Sequence, residues 1–587
     1  MRKKLCLTVL GQVLCSLASA SPLKLTKPAD MILINGSIYT MRKPLEKVDA
    51  VAVKGQTIID IGDNDSMIAH RSKSTKVIDL HGKTVLPGFI ESHGHLAFLG
   101  IVSQRIKIKG LKSELAVADR VRAKVTELKP GEWLISQGWS ETDWGQQDFP
   151  TYQSITDAAP NNPVLLTRVD GHTAWINKRT MEIAGIDRNT EDPDGGRIIR
   201  DKNSDPTGIL LDKAQELVSA KIPEPTVDQI RKSIDIAIKE ALRNGFTTFE
   251  DLMTSKEAFF VLKEMAHKQR LKIRIYAFHG DLRADMLFRE KSWTEEVLRK
   301  YRPLVGFGGG FLTARGIKIL ADGSLGGRGA ALLQPYSDQP ATSGILLKSE
   351  TEIASTASLA VKKGYQVATH AIGDRANQAV LNGYEQAIAR NPQVKDPRLR
   401  IEHTQVILPS DIVRMSRLKI IASMQPNHCT NDMAFVEARL GAKRAGEEAY
   451  LWNSIFSAEV PMTFGSDAPF GELNPLGNVY AAITRQNAQG EPSGGWHPEQ
   501  RLDLFDSIRM YTANAAFAAF EENSKGLIEK GKLADFTVLS QDPFQIPASE
   551  LLKTQVDMTI VGGKVVYRSA RANPQLSGFD GTELDED

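Results

Sequence analysis

Cysteine is scarce in this 587-residue chain, with three in all, at Cys6, Cys15 and Cys429. The first two fall in what reads as a cleavable leader, so the rest of the chain holds one thiol and no internal disulfide framework. Long apolar runs are also missing. The N-terminal "LCLTVLGQVLCSL" is too short and wrongly flanked to span a bilayer, and no later stretch reaches spanning length. Neither sign of charge dominates: 73 Lys and Arg stand against 71 Asp and Glu, a formal net charge of +2. Losing Arg2, Lys3 and Lys4 with the leader lowers that charge by three, to −1. With no continuous basic stripe, a nucleic-acid-binding role is excluded. No Gly-x-Gly-x-x-Gly turn opens a strand–helix unit. The glycine-rich "ADGSLGGRGA" lacks the Gly-Lys-Ser/Thr of a phosphate loop.

What is present begins with the leader itself. "MRKK" is a basic start, the apolar run follows, and "ASA" precedes Ser21, which reads as a secretory signal peptide over residues 1–20, cut after Ala20. The expectation is an exported protein, periplasmic rather than fully secreted because no further export signal is readable, with no membrane attachment after cleavage. Such a protein without disulfides needs a large core or bound metal for stability, and 41% hydrophobic residues supply a core.

Short alternating strands broken by Gly and Asn turns fill residues 21–86, and "KGKLADFTVLSQDP" and "VDMTIVGGKVVY" repeat that texture within 524–570. The two ends are expected to pair into one small β-sandwich. Residues 571–587 read as a solvated acidic tail. Between the sandwich halves, over 87–523, strands alternate with helices. Eight strands are predicted: "TVLPGFIESHGH", "FTTFEDL", "KIRIYAFHG", "RGIKILADGS", "YQVATHAIGD", "LRIEHTQ", "KIIASMQP" and "VPMTFGSDAP". Helices are predicted over 226–244, 350–363 and 375–390 from their caps and terminal glycines. The pattern predicts an α/β fold, a (β/α)8 TIM-like barrel with a long insertion at about 100–225, rather than an open doubly wound sheet. The insertion carries aromatic patches, "GEWLISQGWSETDW" and "GHTAWINK". Its length suggests a lid or substrate-binding element.

Catalytic residues of a barrel collect where its strands end. The predicted ends carry His93 and His95, Glu250 and Asp251, His279, Lys318, His370, His403, Gln425 and Asp467. Residues two apart on a strand share a face, so His93 and His95 can point together into the barrel mouth. Imidazole and carboxylate suit zinc and related ions, and four imidazoles with one carboxylate have room for two metals.

"LPGFIESHGH", "GIKILADGSLGGRGA", "HAIGDRA", "RIEHTQ" and "GSDAP", in that order, with "GKLADFTVL" returning to the small β unit, resemble the amidohydrolase superfamily of metal-dependent hydrolases. The likeness is greatest to the subgroup of N-substituted formamide deformylase and exoenzyme-regulatory proteins, and it covers nearly the whole mature chain. The resemblance implies two divalent ions, zinc by preference. His93 and His95 would hold the buried ion and His370 and His403 the exposed one. Lys318 would bridge them as a CO2-derived carbamate. Asp467 would serve as ligand and general acid/base, with metal-activated hydroxide as the nucleophile. It implies hydrolysis of a non-peptide C–N bond in a small amide, N-acyl or N-formyl substrate, and leaves a homodimer open. His172, His428 and Trp139 are candidate substrate contacts. Competing readings for these residues are a Lys318–Asp322 salt bridge, a hydrogen-bonded His172, and packing roles for Trp139 and Trp144. His279 reads as a core histidine, and Cys429 lacks the base a catalytic thiol needs. Two other functions stay open: a mononuclear deaminase or cyclic-amide hydrolase, and a non-catalytic binding or regulatory protein on the same fold.

Overall fold

The computed structural model describes residues 27–571 except 146–147, 170 and 288–291, so the leader and the acidic tail lie outside the described residues. Eight parallel strands form its centre. They are β1 (Phe89–Gly94), β2 (Phe246–Thr254), β3 (Arg274–His279), β4 (Leu312–Leu320), β5 (Gln366–Ala371), β6 (Arg400–His403), β7 (Ile421–Met424) and β8 (Met462–Phe464), neighbours in that order. Each of the eight predicted strands contributes one. Buried on both faces, they need near-continuous apolar or paired side chains. β8 and β1 share no extended ladder. The barrel closes there through the backbone N–H of Asp467 donating to the His93 carbonyl (2.6 Å) and that of His95 donating to Ala468 (2.8 Å). A Ser92–Thr463 hydroxyl contact of 2.7 Å lies just below.

Helices wrap the outside as the caps predict. Among them are α1 (Leu96–Ser103), α2 (Val227–Arg243), α3 (Glu350–Lys362) and α4 (Asp374–Ala389). Thr226 and Gln229 form a reciprocal capping box at α2, as Ser349 and Glu352 do at α3. Ile230, Ile234, Ala237, Ile238 and Ala241 recur at helical spacing and bury one face of α2. α1 packs so closely on α2 that a Cβ on Gly100 would lie 1.8 Å from the Ser233 carbonyl oxygen. Gly100→Ala is therefore expected to cost about 1–3 kcal/mol by forcing the helices apart, read as a lower urea midpoint.

One predicted strand is corrected. Residues 84–95 are not a single strand. Thr84–Pro87 pairs with Ser37–Tyr39 and Phe536–Leu539 in a six-stranded sheet, and β1 starts afresh at Phe89. Gly88 makes the break possible, since a Cβ there would lie 2.2 Å from the Thr247 side chain. A four-stranded sheet of Met31–Ile34, Ala50–Lys54, Thr57–Gly62 and Lys76–Asp79 shares a core with the six-stranded one, Leu33, Val51 and Ile58 packing with Val85, Phe536 and Ile560. Residues from both ends of the chain thus build the sandwich.

The insertion is a folded unit with a five-stranded sheet ordered Gly196–Arg200, Pro206–Asp212, Thr173–Ile176, Val164–Arg168, Leu134–Trp139. It buries a core on each face, one around Trp139 and Trp175, the other around Ile176, Met181 and Leu210. Among the described residues, no helix is long and apolar enough to cross a membrane.

Candidate metal centre and active-site cavity

The C-terminal ends of the barrel strands enclose a cavity of about 470 Å³, lined by His93, His95, Lys318, His370, His403, His428 and Asp467 among others. Asp467 Oδ1 lies 3.0 Å from His95 Nε2 and 3.4 Å from His93 Nε2. Lys318 Nζ lies 3.4 Å from the same His93 nitrogen. The His370 and His403 rings are 4.5 Å apart, and His403 is 4.8 Å from His93. All six residues expected to ligate metal thus meet in one place. Two sets of three have donor atoms within 4.8 Å of one another: His93, His95 and Asp467, and His403, His428 and Asp467.

The donors suit divalent ions in more than geometry. His95 Nδ1 is buried without a hydrogen-bond partner, which is costly for an imidazole unless a cation or water takes the lone pair, and His370 Nε2 has only a 3.4 Å contact with Asp322 Oδ1. Burial, then the neighbouring Lys318 charge, pulls His93 down to about 3, and burial with the adjacent histidines holds His403 well below the usual range. Both are neutral at physiological pH, the ligating form. Burial would raise the Asp467 carboxyl, yet His93, His95 and His403 outweigh it and keep it well below the ordinary carboxylate range. Burial lowers Lys318 to about 8. The Lys318–Asp322 pair is not formed. Asp322 instead accepts backbone N–H groups of Ala331, Ile372 and Gly373 at 2.8–3.0 Å, bracing the loop after β5.

Sequence reasoning missed the residues that hold these donors. Glu402 accepts from His93 Nδ1 at 2.6 Å and from Arg400 Nε at 2.8 Å. Arg400 also pairs with Glu250 and donates to the Ser92 carbonyl at 2.7 Å. Gln425 Oε1 meets His403 Nδ1 at 2.8 Å, leaving Nε2 toward the cavity. Glu91 accepts the N–H of His93 (3.0 Å) and of Ser466 (2.8 Å), stitching β1 to the loop that carries Asp467. Burial pushes Glu91 up to about 8. Glu91, Arg400 and Glu402 were signalled by a charge on a strand that must be buried on both faces, while Glu250 and Gln425 stood among the predicted strand ends without a bracing role. Carboxylate partners of ligating histidines fix ring orientation and raise basicity. Glu402→Gln is expected to weaken metal binding about 10–100-fold, measured by competition with a chromogenic chelator.

Three candidate contacts fare differently. His428 lines the cavity, its Nε2 3.6 Å from Asp467 Oδ2 and its ring stacked 5.8 Å from His403. Trp139 does not line it. Its ring is buried in the insertion's core, stacked on Trp144 at 5.9 Å, and its indole N–H donates to the Leu166 carbonyl. The apolar core that the insertion builds for itself claims both tryptophans. His172 is exposed on the insertion, 2.9 Å from Asp212, and is not among the lining residues. The lining comes from barrel residues, with none from 100–225 among the described residues, so a substrate-contacting role for the insertion is not seen. His279 packs against Phe259 and Trp293 as a core residue. Burial raises the Cys429 thiol to about 12, which keeps it unreactive.

A parallel barrel with imidazole and carboxylate donors at its C-terminal mouth defines a class of hydrolases. The profile of the Amidohydrolase family matches residues 76–567, and this chain belongs to that family. It is 34% identical over 547 residues to Protein LONG AFTER FAR-RED 3 of Arabidopsis thaliana, covering 92% of each chain. It is 26% identical over 552 residues to N-substituted formamide deformylase of Arthrobacter pascens, covering 92% of this chain and 99% of that one. A solved structure, an uncharacterized metal-dependent hydrolase from Pyrococcus furiosus, superposes with a TM-score of 0.73 at 27% identity, covering 88% of this chain and 100% of the other.

Proposed function

We propose that this chain is an exported metal-dependent amidohydrolase that holds two divalent ions, zinc by preference, and hydrolyses the C–N bond of a small non-peptide amide. The observation that carries it is the convergence of six donors, His95 with an unpartnered buried nitrogen, at the barrel mouth. His93, His95 and Asp467 would hold one ion and His370 and His403 the other. Lys318 sits beside His93, and its lowered pKa leaves a neutral fraction able to take up carbon dioxide as a carbamate. Divalent ions bound there lower the pKa of water toward ~7 and polarise a carbonyl. Asp467, ionised and held between the histidines, accepts the proton of the attacking water and delivers it to the leaving nitrogen. A relative named as an N-substituted formamide deformylase supports N-acyl or N-formyl amides as the substrate class. The leader motif supports export to the periplasm.

Elemental analysis of mature protein grown with bicarbonate tests this reading. About two ions per chain, with metal loading that falls when bicarbonate is withheld and is insensitive to it in Lys318→Ala, is the expected result. One ion, with loading independent of bicarbonate, would favour a mononuclear deaminase or cyclic-amide hydrolase. No metal even after reconstitution would favour a binding protein.

A further inference from the structure

The wall of the cavity is largely apolar. Above the donors stand Met253, Leu282, Met286, Leu320 and Leu325. At the rim Phe470, 58% exposed, packs 5.6 Å from Phe98 and 5.7 Å from His95. Exposed aromatic surface beside a metal centre offers a platform for an apolar substituent. Among the described lining residues the only Lys or Arg is Lys318, at the floor. One carboxylate faces the substrate volume away from the donor set: Asp432, on the short helix Pro426–Asp432 that also carries His428. Its Oδ2 accepts from the Tyr450 hydroxyl at 2.6 Å and from Gln405 Nε2 at 2.8 Å, while Oδ1 receives no hydrogen bond among the described residues.

We infer that this cavity takes N-acyl amines whose substituents are apolar and uncharged, and that Asp432 is a specificity residue that turns away substrates bearing a carboxylate. This rests on the amide-hydrolase reading above. A carboxylate held outside the metal centre would meet mostly thioether and aliphatic groups, with Ser324, Gln405 and Asn431 as neutral polar neighbours, no Lys or Arg but Lys318 to pair it, and the Asp432 side chain alongside. An amide or amine N–H meets the opposite situation, since Oδ1 is an open acceptor and a donor there satisfies both groups. Burial raises the Asp432 carboxyl above the ordinary carboxylate range, with the Tyr450 donor, His428 and the Gln405 donor opposing but not cancelling the rise. The rim then favours N-benzyl- or N-alkyl-substituted amides and rejects N-acyl amino acids of the same size.

Matched pairs test this directly on metal-reconstituted full-length mature protein: N-acetylbenzylamine against N-acetylphenylglycine, and the N-formyl counterparts. The expected result is a kcat/KM at least about 100-fold higher for each uncharged member. Asp432→Asn, which keeps an acceptor for Tyr450 and Gln405, should narrow that ratio at least tenfold. Met286→Lys, adding a cation on the cavity wall, should narrow it independently if Asp432→Asn does not fold. Equal turnover of both members, or preference for the acid, would overturn the inference while leaving the amide-hydrolase reading intact. A ratio unchanged in folded Asp432→Asn would remove Asp432 from the role. Cleavage of no member by protein carrying its full metal complement would instead sink the amide-hydrolase reading, and this inference with it.

Discussion

Asp467→Asn is expected to lower kcat by about 10²–10⁴-fold while leaving the fold in place. The substitution is chosen for its backbone. Asp467 sits at φ 59°, in the left-handed region that asparagine tolerates about as well as aspartate. Its N–H bond to the His93 carbonyl, which helps to close the barrel, survives the change. What disappears is a group that is ionised at every working pH and can take a proton. Asparagine keeps the shape and one acceptor oxygen but cannot carry a proton between water and a leaving nitrogen. Turnover, circular dichroism and metal content must be read together. Lost activity with native ellipticity fits the assigned role, and near-normal activity would remove Asp467 from it.

His93→Ala carries the second large effect, on metal content and stability together. The ring is buried, with Nδ1 on Glu402 and Nε2 toward Asp467 and Lys318. Removing it leaves the Glu402 carboxylate paired with Arg400 but without its imidazole hydrogen bond, a loss of about 1.5–3 kcal/mol. Metal that binds only the native state adds to stability by linkage, and that contribution goes too. The variant should bind at most about one ion per chain and melt roughly 5–10 °C lower. Chelator should lower the melting temperature of the parent protein but hardly change the variant's. Unchanged metal stoichiometry would contradict the site.

The strands were readable because each is an apolar, β-branched run ending in a polar residue, and barrel geometry turns eight such ends into one ring. That is why His93, His95, Lys318, His370, His403 and Asp467 stood among the strand-end candidates, and the family resemblance then singled them out. The bracing pairs could not, because they join strands remote in sequence. Arg400 and Glu402 alternate along β6, and only the fold shows that Glu250 and His93 await them. Trp139 and His172 were misjudged for a related reason. An aromatic patch in an insertion looks the same whether it lines a cavity or fills a core, and here a sheet assembled from five separate segments claims the tryptophans. Gly88 was hidden inside an unbroken β-like pattern that spans two different sheets.

The seam between β1 and β8 has a consequence for how the protein is made. The contact of His95 with Asp467 joins residues 372 apart. The first two histidines leave the ribosome long before their carboxylate partner exists, and a nascent chain stopped short of residue 467 carries an open sheet with an incomplete ligand set. Tight metal capture therefore waits for the last strand to dock. On the two-ion reading, ion retention would report that the last strand has docked, and a chain lacking residue 467 would not retain the buried-site ion.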